Sequence, residues 1–326
     1  MRLPEQDIAQ ARTLLEGAER FLCVCHRNPD GDAIGSLLAM GLLLEQALPD
    51  KDVGFHCVDP VPAMFHFLPG AFRVSILPQP IPEPEGTVFI FLDCGEPKLT
   101  ELHETHPQLF DGTYKSLMFD HHHKNPLFGT VNFLLSEACS TCEIVTWFAE
   151  QNGWKIESDV ATCLLTGLYT DTGGLLHSNV TPEVYRTVAH LQRCGGRRQE
   201  VVNAVFRTGK LSTLRLWGRV LEKISLTDEG GAISAVTEGD FRATEADTSE
   251  LTGAIDYVNA VPGMRFSLIL SERDGKVKGS LRTLRDDVDV SAMAGKFSGG
   301  GHKKAAGFSL PGKLKPEVRW KVVEEE

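Results

Sequence analysis

Six residues of this chain have types and spacings that could hold divalent cations. Five of them follow directly on short apolar runs. The first run, Phe21 to Cys25 (FLCVC), leads into His26-Arg27-Asn28-Pro29-Asp30-Gly31-Asp32. Two carboxylates at i and i+2, with an imidazole four residues before the first, offer hard oxygen and nitrogen donors. Such a set suits Mn²⁺ or Mg²⁺ better than a thiolate-seeking ion. Alone, this loop would read as a polar turn. The second run, Val88 to Leu92 (VFIFL), ends at Asp93, and the third, Ser116 to Phe119 (SLMF), ends at Asp120-His121-His122-His123. Three strand ends thus deliver Asp and His side chains to one edge, a coincidence that a chance surface cluster does not explain. Asp171, in LLTGLYTDTGG at the end of an apolar helical stretch, adds a fourth carboxylate.

Asp30, Asp32, Asp93 and Asp171 would bring four negative charges together, which is very unfavourable unless cations are bound. Two divalent ions would roughly cancel them and leave a site able to accept a phosphate. Sites with two ions about 3.5–4 Å apart activate water for in-line attack on phosphorus. The chemistry expected is hydrolysis of a phosphate ester. Late in the chain, Gly299-Gly300-Gly301-His302-Lys303-Lys304 lacks the spacing of a Walker loop, but its glycines let backbone N–H groups approach a phosphate and His302 and Lys303 can hydrogen-bond it. Arg282, in GSLRTLR, is a candidate phosphate fork.

The elements needed to position these groups are legible around them. The three apolar runs have the composition of buried parallel strands. Helices are expected at about 33–47, 140–152 and 159–169, the second capped by Ser140 or Thr141 with Glu143 in its first turn. Strands alternating with helices imply a doubly wound, mainly parallel sheet, and open sheets of that kind bind ligands at the carboxyl ends of their strands. From about 224 the pattern changes to strands at 232–236, 266–270 and 276–282 around a helix near 247–260. We therefore expect an α/β chain with a catalytic domain over 1–187, a helical connector over 188–223, and a smaller α/β domain over 224–326. The Pro-rich piece at 77–86 reads as a surface loop, and the smaller domain as ending in an acidic tail. A chain of 326 residues suits two domains.

A net charge of −11 argues against gripping long duplex nucleic acid through its backbone, which needs a basic face. The first twenty residues do not resemble a signal peptide, and the longest apolar stretch, Ala33 to Leu44, is too short to span a bilayer. Eight scattered Cys suit a reducing compartment, so a cytoplasmic protein without membrane attachment is expected. Cys139 and Cys142 have a C-x₂-C spacing, but a single pair lacks the second pair of a zinc site and reads as helix-cap packing.

Taken together, HRNPDGDAIGS, the strand-end Asp93, Asp120-His121-His122, TDTGG and GGGHKKAAG resemble, in order, the DHH phosphoesterases that carry a DHH-associated C-terminal domain. The resemblance spans nearly the whole chain and is nearest to the branch of bifunctional oligoribonucleases and phosphoadenosine phosphatases. It implies two Mn²⁺ per active site, with Mg²⁺ or Co²⁺ as substitutes. One would be bound by His26, Asp30 and Asp93, the other by Asp32, Asp93, His121 and Asp171, with Asp93 bridging. His122 would face the scissile phosphate and Asp120 would orient the His pair. Arg282 and Gly299, Gly300, Gly301, His302 and Lys303 would hold the far part of the substrate across a cleft between the domains. It also implies a homodimer. The stretch Leu175-Leu176-His177-Ser178-Asn179 departs from the family, which often has a basic or aromatic residue before Ser-Asn; this bears on substrate preference, not on the chemistry.

The implied activity is Mn²⁺-dependent hydrolysis of very short RNA to 5′-mononucleotides, together with dephosphorylation of 3′-phosphoadenosine 5′-phosphate. An alternative within the same chemistry is a cyclic di-AMP or linear dinucleotide phosphodiesterase. An inorganic pyrophosphatase fits the first domain but leaves the GGGH domain without a task. From another class, a catalytically silent nucleotide-binding regulator would have the same fold, although all six expected ligand positions are filled.

Overall fold

The computed structural model describes residues 2–77, 80–207 and 210–315. The chain forms two compact units, Met1–Thr208 and Gly209–Glu326. The first contains α1 (Glu5–Gly17), β1 (Arg20–Cys25), α2 (Gly31–Ala47), β2 (Asp52–His56), β3 (Thr87–Leu92), β4 (Lys115–Asp120), β5 (Val131–Leu134), α3 (Thr141–Gln151), α4 (Ser158–Asp171), α5 (Pro182–Arg193) and α6 (Arg198–Phe206). Its five strands are all parallel, in the order β2-β1-β3-β4-β5.

The central strands are apolar on both faces because both are covered. Phe21, Cys23 and Cys25 alternate with Leu22 and Val24 between two separate cores, as Ile90 and Leu92 alternate with Phe89 and Phe91. The helices gather on the face of Phe21 and Ile90. The opposite face is closed by loop residues including Leu77, Leu102, Leu109 and Tyr114 rather than by long helices. The Pro-rich stretch 80–86 runs without helix or strand, and Pro78 and Gln79 lie outside the described residues.

Helix α2 is apolar on all sides because it is enclosed between the sheet and α4, burying Leu37, Leu38, Leu43 and Leu44. Close approach of α2, α3 and α4 depends on two glycines. A Cβ at Gly35 would lie 2.6 Å from the Cys163 carbonyl oxygen. A Cβ at Gly167 would lie 2.3 Å from Cys142 Sγ and 2.4 Å from Asp32 Oδ1.

The order 2-1-3-4-5 reverses direction between β1 and β3, and the crevice outside the carboxyl ends of such strands is where ligands bind. His26 and Asp93 are the residues that follow those two strands.

The second unit contains α7 (Leu211–Glu222), β6 (Ser225–Leu226), β7 (Gly231–Val236), α8 (Glu238–Thr244), α9 (Ala254–Asn259), β8 (Phe266–Arg273), β9 (Lys276–Arg282), α10 (Val290–Gly295), β10 (Gly300–His302) and β11 (Ala305–Pro311). Its mixed sheet has the order β10-β11-β9-β8-β7-β6. Helices α7, α8 and α9 pack over β7 and β8 around Val220, Ala232, Val236 and Ile269. On the opposite face α10 packs through Val290 and Ala294 against Leu281 and Phe308.

The stretch read as a connector is shared between the units: α5 and α6 pack on α4, and α7 packs on α8 and α9. The glycine run is not a loop throughout, since Gly300–His302 pairs antiparallel with Ala305–Gly307. The helix expected near 247–260 is a short turn at Thr248–Leu251 followed by α9, interrupted at Gly253, whose φ of +89° a side chain would resist. The acidic end of the chain lies outside the described residues.

Candidate metal centre

Asp30 is the N-cap of α2, its Oδ1 accepting from the N–H groups of Asp32 and Ala33 at 3.0 Å each. Placing the cap there puts Asp32 in the first turn of α2, pointing into the protein, where it is fully buried. A buried carboxylate needs hydrogen-bond donors. Asp32 finds them at the start of α3: Oδ2 accepts from Thr141 N–H at 2.6 Å and Oδ1 from Cys142 N–H at 2.9 Å. Helix α3 is itself capped by Ser140, whose hydroxyl accepts from Glu143 N–H. The positive end of a three-turn helix is therefore aimed at the acidic cluster.

Asp93 follows β3 with a φ of +60° and is 2 % exposed. Its two oxygens look in different directions. Oδ2 lies 3.4 Å from His26 Nε2, while Oδ1 lies 3.6 Å from His121 Nε2 and 3.7 Å from His122 Nδ1. Thr141 Oγ1 donates to Oδ1 at 3.0 Å and fixes the carboxylate. His26 Nδ1 donates to the Arg27 carbonyl at 2.7 Å, which leaves Nε2 facing Asp93 and Asp30. His121 Nε2 also faces Asp171 Oδ2 at 3.3 Å and Asp32 Oδ2 at 3.8 Å.

The six residues expected as ligands thus fall into two groups that could each hold an ion, His26 with Asp30 and Asp93, and Asp32 with His121 and Asp171. In each group the candidate donor atoms lie within 4.8 Å of one another. A third overlapping group joins Asp93, His121 and His122. The donor set is oxygen and imidazole nitrogen only, which fits a hard or borderline divalent cation. The cysteines nearby are not part of it: Cys142 meets Asp32 through its backbone N–H, and burial, with Asp32 beside it, pushes its thiol well up.

Without cations this cluster manages its charge through protons. Burial, reinforced by Asp32, Asp93 and Asp30, pushes the Asp171 carboxyl up to about 10. Burial and Asp93 likewise push Asp32 well above the ordinary carboxylate range. Burial disfavours a charged His26, but the contact with Asp93 prevails and carries it up to about 9. Burial raises Asp93, yet His26, His121 and His122 together hold it below its ordinary value. Cations would take over the role of these protons.

Asp120 is fully buried behind the cluster and hydrogen-bonds His122 Nδ1 through Oδ1 at 2.7 Å. That bond lifts His122 to about 9 against the opposing effect of burial. The other oxygen of Asp120 accepts from Asn125 Nδ2 at 2.7 Å, and the same amide reaches the Cys94 carbonyl at 3.1 Å. Asn125 and the hydroxyl of Thr141 are the two polar partners that sequence reasoning missed. Thr141 was legible only as a helix cap, and nothing in the spacing of Asn125 marks it.

In the second unit, Arg282 on β9 and His302 on β10 are both register partners of Ala305 on β11. Directly opposed residues of antiparallel strands share a face, so Arg282 and His302 flank the methyl of Ala305. Gly299 and Gly301 are required for this hairpin, since a Cβ would lie 2.3 Å from the Gly307 carbonyl oxygen in the first case and 2.5 Å from that of Ala305 in the second. Gly300, His302 and Lys303 are exposed.

Comparison with known proteins agrees with this division. Residues 20–168 match the DHH family, N-terminal domain, and residues 230–325 match the DHHA1 domain. The bifunctional oligoribonuclease and PAP phosphatase NrnA of Thermus thermophilus is 33 % identical over 94 % of this chain and 88 % of its own length. The protein of the same name from Bacillus subtilis is 25 % identical over 87 % of each chain. Among solved structures, an exopolyphosphatase-related protein of Bacteroides fragilis superposes with a TM-score of 0.83 at 26 % identity, covering 95 % of this chain and 93 % of that one.

Proposed function

This chain belongs to the DHH phosphoesterase family, a family of metal-dependent hydrolases, and from that premise we propose that it hydrolyses very short RNA to 5′-mononucleotides and 3′-phosphoadenosine 5′-phosphate to AMP. The observation that carries the reading is Asp93, whose two buried oxygens face two separate donor groups, His26 with Asp30 and Asp32 with His121 and Asp171. Those residues would hold two divalent cations, manganese being the preferred ion. The bound cations would supply Lewis acidity toward the phosphoryl group and a nucleophile at neutral pH.

The chain's own groups do the rest. Asp32 and Asp93 are held in place by the start of α3 through Thr141 and Cys142. Asp120 accepts from Nδ1 of His122, which directs Nε2 outward and favours the protonated ring. His122 is therefore placed to hold a proton against a phosphoryl oxygen or the leaving oxygen. By the family resemblance, Arg282 and the Gly299–Lys303 hairpin of the second unit would take part in binding substrate. The net charge of −11 supports short substrates, because an extended strand needs a basic track.

The similarity to NrnA supports both substrates, since that relative is named for both oligoribonuclease and PAP phosphatase activity. Among the described residues no helix is long and apolar enough to cross a membrane. The cytoplasmic setting proposed here rests on the eight scattered Cys of the sequence, and the homodimeric state on the family resemblance. The reading is tested by comparing rates on an RNA dinucleotide, a 24-mer and cyclic di-AMP. Fastest turnover of the dinucleotide is expected. Fastest cleavage of the 24-mer would defeat the short-substrate assignment, and cleavage of cyclic di-AMP alone would move the protein to cyclic dinucleotides.

A further inference from the structure

All eight cysteines are free thiols. The closely spaced Cys139 and Cys142 are engaged in packing: Cys139 Sγ donates to Ser140 Oγ at 3.8 Å and Cys142 Sγ to the Asp32 carbonyl at 3.7 Å. A different pair is made by the fold. Val24 and His56 are the last register partners of β1 and β2, so the next residues, Cys25 and Cys57, stand side by side where the two parallel strands end. Both side chains enter the core on the helix-covered face, with Cys23 and Phe55, and the two thiols hydrogen-bond to each other. Neighbouring strands lie ~4.8 Å apart. That spacing falls inside the range of about 4.4–6.8 Å between Cα atoms that a disulfide spans.

The pair adjoins the metal centre through the backbone. Cys25 is followed directly by His26, and Cys57 Sγ donates to the His26 carbonyl at 3.3 Å. The imidazole of that residue faces Asp93 at 3.4 Å and Asp30 at 3.9 Å, and the three form one of the two donor groups. We propose that Cys25 and Cys57 are a redox pair that peroxide closes into a disulfide, and that the bridge weakens cation binding at His26, Asp30 and Asp93. The bridge stands on the two thiols alone, while its consequence rests on reading those three residues as metal ligands.

The Cys57 sulfur attacks one oxygen of hydrogen peroxide. The O–O bond breaks and the thiol proton leaves with the other oxygen as water, which oxidises Cys57 to a sulfenic acid. The Cys25 sulfur then attacks the Cys57 sulfur: the S–S bond forms, the S–O bond breaks, and the Cys25 proton leaves with the hydroxyl as a second water. Two thiols are oxidised and one peroxide is reduced to two waters. Both residues are buried, so the oxidant must be small. The bridge removes the hydrogen that Cys57 gives to the His26 carbonyl and draws the two sulfur atoms to ~2.05 Å beside that residue. Losing a partner that orients a metal ligand costs roughly 10–100-fold in affinity. A transient, sensing disulfide is the kind that a reducing compartment permits.

The test treats the full chain with hydrogen peroxide in the presence of chelator, removes both, and maps disulfides by mass spectrometry of alkylated peptides. The rise of the thermal midpoint with Mn²⁺ is then measured before and after dithiothreitol. A Cys25–Cys57 linkage is expected, with the Mn²⁺-dependent rise cut by about half, because one of two donor groups is disturbed, and restored by the reductant. Cys57→Ser and Cys25→Ala should each keep after peroxide the rise they show before it. Absence of a linkage between these two cysteines would overturn the pair. A linkage that leaves the Mn²⁺ response unchanged, or a loss of response that persists in both variants, would overturn the switch. A reduced wild type that gives no rise with Mn²⁺ would instead refute the metal-centre reading, and the peptide map would still decide the pair.

Discussion

Asp93→Asn tests the bridging geometry more sharply than any other substitution. Asparagine preserves the shape of the side chain and can keep the contact with Thr141, but it removes the charge whose two oxygens face His26 at 3.4 Å and His121 at 3.6 Å. In the metal-free protein two effects oppose each other. The variant loses attraction from His26, His121 and His122 and also loses repulsion from Asp32 and Asp171. Its metal-free thermal midpoint should therefore stay within about 3 °C of the wild type, equivalent to ~1 kcal/mol. The response to cations should differ far more. An ion supplied at a hundred times its dissociation constant stabilises by about 2.7 kcal/mol. At ~2–4 °C per kcal/mol for a unit of this size, one ion raises the midpoint by roughly 5–10 °C and two by about twice that. The variant should lose most of this rise. It should also lose about 4 kcal/mol of transition-state stabilisation, roughly a thousandfold in rate. Thermal scans with titrated Mn²⁺, read beside single-turnover rates, give both quantities on one sample. A variant that keeps the wild-type rise and near-normal rates would refute the bridging role.

Three further outcomes follow from the same geometry. Asn125→Ala removes one of the two hydrogen bonds to the fully buried Asp120 and should cost about 1.5–3 kcal/mol in urea unfolding and roughly 10–100-fold in kcat with little change in KM; unchanged kcat would show that His122 needs no such support. Gly167→Ala places a methyl 2.4 Å from Asp32 Oδ1 and 2.3 Å from Cys142 Sγ, so stability should fall by about 1–3 kcal/mol and metal affinity with it. Unaltered Mn²⁺ titration in that variant would detach Asp32 from the site. The third outcome concerns pH. His26 is raised from 6.5 to about 9 and Asp171 from 3.8 to about 10. Between about pH 6.5 and 9 the metal-free folded state therefore binds more protons than the unfolded chain, and stability should fall as pH rises through that window. Saturating Mn²⁺ should flatten or reverse the slope, and a metal-free midpoint that rose from pH 6.5 to 9 would contradict the assigned proton distribution.

What the sequence disclosed depended on burial. Strands β1, β3 and β4 are covered on both faces, so their apolar runs were plain, and the polar residues ending them stood out by contrast. Edge strands β2 and β5 carried no such signal: DVGFH is half polar and VNFL only four residues long. Helix α1 buries only Ile8, Ala11 and Leu15 and is not among the helices expected from the sequence. The glycine run was legible as permitting close approach, but pairing of Gly300–His302 with β11 depends on neighbours that no local pattern encodes. The same is true at the centre, where Asp32 meets Thr141 and Cys142 across more than a hundred residues of chain. Local spacing identified the metal-binding candidates; only the packing of α2, α3 and α4 shows what keeps their charges apart from water and aimed inward.

The most direct test of the whole account is hydrolysis of a 5′-labelled RNA dinucleotide and of 3′-phosphoadenosine 5′-phosphate by the purified protein with Mn²⁺, with Mg²⁺ or with chelator. Release of mononucleotide and of phosphate is expected, fastest with Mn²⁺ and abolished by chelator. Turnover of neither substrate at saturating Mn²⁺, or turnover undiminished by chelator, would contradict it.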